Sequence, residues 1–221
     1  MLNKLASIGV YSEGAAVIIS INPQNPQMRL VAQVVEALRH GAVICYPTDT
    51  VYGIGCDIFN QKAVKRIYQI KQRPLSGRPF SFMCPNLKEL STYAHISNSG
   101  YRIMKKSLPG PYTFVLPAAK IVPKIMTTKQ KTVGIRVPDH AVCQALLEAL
   151  GNPMLTTSAA VDPEAPPLME AYEVEEHFGR QVDLIIDSGP LLYSAPSTIV
   201  SLVGDQPEIL RQGKGDANVL F

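Results

Sequence analysis

Apolar positions along the chain alternate between a period of two and a period near 3.6, which predicts strands interleaved with helices. Ala15 to Ile21 reads as a first strand, closed by Asn22-Pro23-Gln24-Asn25-Pro26. Leu30, Val31, Val34, Val35 and Leu38 fall on one helical stripe, and Gly41 ends that helix. Ala42 to Tyr46 is the next strand, and it runs into a polar turn where hydroxyls and glycine-exposed backbone amides gather. Ala63, Val64, Ile67 and Ile70 then mark a helix over 61–70.

Further on, Phe80 to Met83 predicts a strand, Asn86 to Tyr93 a short helix capped by Asn86, and Ser99 to Lys106 another helix. Tyr112 to Leu116 and Thr132 to Val137 alternate like half-buried strands. Asp139 to Leu150 is a helix with Val142, Ala145, Leu146 and Ala149 on its apolar side, stopped by Gly151. Met154 to Ser158 is a strand, Asp162 to Pro167 an acidic proline-rich loop, and Glu170 to Phe178 an acidic helix. Val182 to Ile186, Thr198 to Val203 and Glu208 to Arg211 complete the strands. Such interleaving predicts an α/β sandwich with a mixed, twisted sheet. The pattern places one domain over 15–221 after an N-terminal extension, 1–14, with Met1 to Gly14 and Gly213 to Phe221 loosely held.

Composition narrows the class. The 221 residues can enclose one sizeable core, and 46% hydrophobic content argues against disorder. Charged residues are 18% and the net charge is +3, which permits an anionic partner without demanding one. The four cysteines, Cys45, Cys56, Cys84 and Cys143, lack zinc-ligand spacing and read as reduced core residues. No apolar run approaches the ~20 residues that span a bilayer, and Met1 to Ser20 lacks a secretory signal pattern, so the expected location is the cytoplasm.

Candidate chemistry starts at Tyr46-Pro47-Thr48-Asp49-Thr50-Val51-Tyr52-Gly53 and at Lys71-Gln72-Arg73-Pro74 one helix later. Lys71 and Arg73 fall at a helix C-terminus, where cations complement the dipole, and in a rigid basic loop they can equally hold an anion. Lys62, Lys65 and Arg66 on the same helix read as a solvated face. Thr132 and Arg136 lie four apart on a strand and share a face, with Gly134 between them either making room for a ligand or packing. Thr156-Thr157-Ser158 and Ser194-Ala195-Pro196-Ser197-Thr198 form small polar rims that serve either ligands or turns. The phosphate loop, G-x-S-x-G and a complete G-x-G-x-x-G are missing, and the four histidines are dispersed, so no metal site is assigned.

Taken in order, the Tyr46 and Lys71 motifs, Pro109-Gly110-Pro111-Tyr112-Thr113, Gly134-Ile135-Arg136-Val137-Pro138, Thr157-Ser158-Ala159, Pro196-Ser197-Thr198 and Ile209-Leu210-Arg211-Gln212-Gly213 resemble the YrdC-like family from about Asn22 onward. Asn22 to Gln27 and Leu90-Ser91-Thr92-Tyr93 look most like its YciO branch. The resemblance implies a twisted mixed sheet flanked by helices with a basic concave surface, binding of double-stranded RNA or tRNA, and formation of threonylcarbamoyl-AMP from threonine, bicarbonate and ATP. A partner enzyme then transfers the threonylcarbamoyl group to tRNA. By position, Lys71 and Arg73 would be catalytic and contact phosphates that carry Mg2+; Thr48, Arg136, Thr156 and Ser197 would surround threonine; and Thr132, Ser158 and Arg211 would join Lys71 and Arg73 on the nucleotide. The synthase pattern Ser-x-Asn reads Ser158-Ala159-Ala160 here, so an amide is replaced by a methyl group. The competing expectation is a non-catalytic RNA-binding module using the same hollow.

Overall fold

The computed structural model describes residues 15–75, 79–160, 162, 165–192, 195–204 and 206–220. Among them the chain forms β1 (Val17–Ser20), α1 (Met28–Arg39), β2 (Ile44–Tyr46), β3 (Gly53–Asp57), α2 (Gln61–Ile70) and β4 (Ser81–Met83). Next come α3 (Leu87–Tyr93), α4 (Asn98–Ser107), β5 (Tyr112–Pro117), β6 (Thr132–Arg136), α5 (Ala141–Leu150) and β7 (Met154–Ser158). The last elements are α6 (Ala171–Phe178), β8 (Leu184–Asp187), β9 (Thr198–Ser201) and β10 (Glu208–Arg211). All ten strands join one mixed sheet in the order β1-β8-β2-β3-β7-β4-β6-β5-β9-β10. This bears out the expected α/β class with helices flanking a mixed sheet.

Period-two alternation divides the core into two layers. Ile44, Tyr46, Met83, Met154, Leu184 and Ile186 point to the face packed by α1 and α5. Their neighbours Cys45, Phe82, Leu155 and Ile185 point to the other face, where α2, α3, α4 and α6 supply Ile67, Leu90, Met104 and Val174. The expected helix signals operate: Asn86 Oδ1 accepts from Glu89 N at 2.8 Å, and Gly151 ends α5 at φ 73°, a left-handed conformation that glycine adopts without strain. The four cysteines are free and buried, and burial raises their thiol pKa values well above the ordinary range.

Three expectations need correction. The polar turn after Tyr46 leads not directly to a helix but into β3, which pairs with β2 and β7. Its glycines are therefore not there to expose amides. A Cβ on Gly55 would lie 2.9 Å from the Tyr46 ring and against the Leu155 carbonyl, and one on Gly53 would lie 3.0 Å from the same ring. Arg66 is not merely solvated: it pairs with Asp183 at 2.5 Å and donates to the Gln181 carbonyl at 2.7 Å. Asp183 also accepts from Val43 N, so this pair fixes the entry to β2.

The C-terminal segment is not loose over 213–220, the part that lies within the described residues. Thr198 Oγ1 donates to the Gly215 carbonyl at 2.7 Å, Tyr112 Oη donates to the Asp216 carbonyl at 3.0 Å, and Leu220 is buried. A side chain at Gly215 would sit 2.5 Å from the Tyr112 ring, which explains the glycine there. Met1 to Gly14 lie outside the described residues.

Candidate functional site

Helices α1 and α5 cover one face of the sheet over β1, β8, β2, β7 and β4. Over β6, β5 and β9 no helix of the described residues joins that core layer on the same face, and there lies a cavity of about 970 Å³. The parity of each strand decides what enters it. In β6, Val133 and Ile135 go to the opposite core while Thr132, Gly134 and Arg136 face the cavity. In β5, Phe114 is core and Thr113 lines the wall; in β9, Val200 is core and Ile199 and Ser201 line it. Short side chains leave the wall open and furnish it with hydroxyls.

Of the residues expected around an amino acid, Thr48, Arg136, Thr156 and Ser197 all line this one cavity. Of those expected around a nucleotide, Arg73, Thr132, Ser158 and Arg211 line it too. The early basic loop and the late guanidinium thus meet across roughly 140 residues of sequence. Lys71 alone of the predicted set stands outside the lining. Its Nζ donates to the carbonyls of Ala160 at 2.7 Å and Ser158 at 3.1 Å, clasping the end of β7. Burial, followed by the charge of Arg73, lowers its pKa from the ordinary 10.5.

The hydroxyls are organised among themselves. Thr48 Oγ1 donates to the Val51 carbonyl at 2.7 Å and accepts from Thr50 N at 3.0 Å, so it shapes its turn as well as the cavity. Tyr46 Oη donates to Thr156 Oγ1 at 2.9 Å, made possible by the bare glycines of β3. Ser197 Oγ shares a hydrogen bond with Thr113 Oγ1, and its carbonyl accepts from Arg211 Nη2 at 2.7 Å. Thr132 pairs with Thr128 at 2.7 Å. Gly134 packs as well as making room, since a Cβ there would collide with Ser81 Oγ.

Arg136 is the electrostatic centre. Nη2 donates to Asp49 Oδ1 at 2.5 Å and Nη1 to Thr50 Oγ1 at 2.8 Å. Both side chains of the ion pair are almost fully enclosed, 7% and 10% exposed. Burial and the nearby Arg136 charge lower the pKa of Arg211, which places these two cations within electrostatic reach of each other. Asp49 and Thr50, which carry no role of their own in the sequence motif, hold Arg136, and Ser81 and Thr113, equally without a role there, line the cavity. The signal for Asp49 was its place as the lone carboxylate in a hydroxyl-rich motif. Among the described residues no three His, Cys, Asp or Glu side chains gather as metal ligands.

The family model for Sua5, YciO and YrdC proteins, described as "Telomere recombination", matches residues 36–213. YciO of Escherichia coli strain K12 is 45% identical over 197 residues, spanning 89% of this chain and 95% of that protein. A threonylcarbamoyl-AMP synthase of Pyrococcus abyssi is 33% identical over 177 residues, covering 80% of this chain and 52% of the synthase. Among solved structures, E. coli YciO superposes with a TM-score of 0.88 at 43% identity, covering 93% of this chain and 100% of that one. P. abyssi Sua5 complexed with L-threonine superposes at 0.82 and 30% identity, covering 90% of this chain and 58% of that one.

Proposed function

Since the chain belongs to the Sua5/YciO/YrdC family, we propose that its cavity binds an amino acid beside a nucleotide and joins them as threonylcarbamoyl-AMP. One observation carries this reading: two residue sets, one expected around an amino acid and one around a nucleotide, are drawn from distant stretches and line a single cavity. Its volume of about 970 Å³ lies at the upper end for ligand sites, roughly 300 to 1,000 Å³, which suits two ligands better than one small molecule. Likeness to a Sua5 structure complexed with L-threonine supports the amino-acid half.

In the reaction, the threonine amine takes up bicarbonate with loss of water, and the resulting carbamate oxygen displaces pyrophosphate from the α-phosphate of ATP. Arg136 receives the amino-acid carboxylate, with Thr48, Thr156 and Ser197 around the rest of the molecule. Arg73 and Arg211, joined by Lys71 once it leaves its carbonyl partners, offset the charge that grows on the departing pyrophosphate. Mg2+ enters on the phosphates as part of the substrate. No covalent nucleophile is required, so rate comes from positioning and electrostatics.

A second feature favours an RNA partner, double-stranded RNA or tRNA. Lys120, Lys124, Lys129 and Lys131 are exposed on the connection between β5 and β6, whose Thr128 and Gln130 line the cavity. A cytoplasmic protein with these cations on a segment that also lines the cavity would meet tRNA and hand its product to a tRNA-modifying partner.

Incubation with ATP, bicarbonate and labelled threonine tests the reading. Threonine-dependent pyrophosphate and a labelled adenylate are expected; salt-sensitive RNA retention without adenylate makes the chain a binding module instead. Ala160→Asn restores the missing amide and is expected to raise adenylate formation roughly tenfold, the equivalent of one hydrogen bond. An unchanged rate removes Ala160 from the account.

A further inference from the structure

Resting on the reading that Arg136 receives the amino-acid carboxylate, we infer that Asp49 is the positioning residue of this subsite. It holds the guanidinium in the orientation the ligand requires. Four buried side-chain polar atoms among the described residues have no hydrogen-bond partner, and three belong to this spot: Asp49 Oδ2, Arg136 Nε and His140 Nδ1. Buried polar groups are ordinarily satisfied, and their concentration at one point marks a place built for something further to bind.

The geometry separates the two sides of the guanidinium. Asp49 and Thr50 claim one N–H each on Nη2 and Nη1. Nε is left unclaimed on a side chain that lines the cavity. Asp49 itself does not line the cavity, so it acts through Arg136 and not on the ligand. It is held in turn from outside, because Lys214 Nζ donates to the Asp49 backbone carbonyl at 2.5 Å. Lys214 N donates to the Pro196 carbonyl beside Ser197. The carboxylate therefore fixes Arg136 relative to both Thr48 and Ser197, the turn and rim that flank the same subsite. Arg211 lines the same cavity as Arg136 and adds a reason for a counter-ion: without Asp49 the cavity holds both guanidiniums with no carboxylate on Arg136.

Titration calorimetry with L-threonine and, separately, ATP·Mg2+ tests the assignment on the full chain and on Asp49→Asn and Asp49→Ala. Asp49→Asn keeps the shape and one acceptor oxygen but removes the charge. The threonine Kd is expected to rise roughly tenfold in Asp49→Asn and more in Asp49→Ala. The ATP Kd is expected to stay within about twofold, because the phosphate cations are held by other residues. A merely structural role moves both constants together with the melting temperature, and that outcome overturns the assignment. Threonine binding that is unchanged or tighter in Asp49→Asn overturns it too. A wild-type chain that binds ATP but not threonine overturns the amino-acid reading, and this inference with it.

Discussion

His140 is the residue whose surroundings make the sharpest pH argument. Burial lowers its pKa from the ordinary 6.5; Asp49 and Asp139 raise it and Arg136 lowers it, with burial the largest effect. The unfolded chain therefore binds this proton at a higher pH than the folded one. Stability is complete above the ordinary value and declines as pH falls below about 6.5 toward the lowered folded value. Urea midpoints at about pH 7.5 and about pH 5.5 are expected to differ less in His140→Asn than in the wild type. Equal acid sensitivity in both proteins assigns the decline to other groups. Candidate residues were legible at this scale because they sit in short motifs with polar side chains. Their partners were not: Asp49 holding Arg136 and carbonyls holding Lys71 are contacts between segments about 90 residues apart.

At the scale of elements, strands and helices with clean periodicity were readable to within about two residues, as with β7 and β10. β3 was hidden because its pattern, Gly-Ile-Gly-Cys-Asp, has glycine where a strand ordinarily shows a side chain. Tertiary packing explains the choice, for the Tyr46 ring fills the space above Gly53 and Gly55. Gly55→Ala is accordingly expected to cost about 1 to 3 kcal/mol, the usual range for overpacking, measured by urea denaturation. Because the Tyr46 hydroxyl must also shift from Thr156, threonine binding is expected to weaken in that variant. A fully stable Gly55→Ala protein contradicts the packing argument.

For the whole molecule, the segment after β10 joins the far edge of the sheet to the turn after β2. Deleting 213–221 removes Leu220 from its buried place and breaks the bonds of Gly215 and Asp216. Burial of one leucine and two hydrogen bonds together suggest a loss of roughly 3 kcal/mol or more, read from denaturation midpoints. Threonine binding is expected to fall with it, since Lys214 no longer steadies Asp49. Terminal position alone suggested a loosely held segment there, because the sequence of the tail says nothing of the ring it packs against. The buried thiols give the fold a reporter of its own opening. Cys45, Cys56, Cys84 and Cys143 sit on β2, β3, the end of β4 and α5, so a maleimide in solution reaches them only when those elements part. The rate of alkylation then measures how often the interior is breached, and any ligand that binds the intact fold slows it, whatever reaction that ligand undergoes.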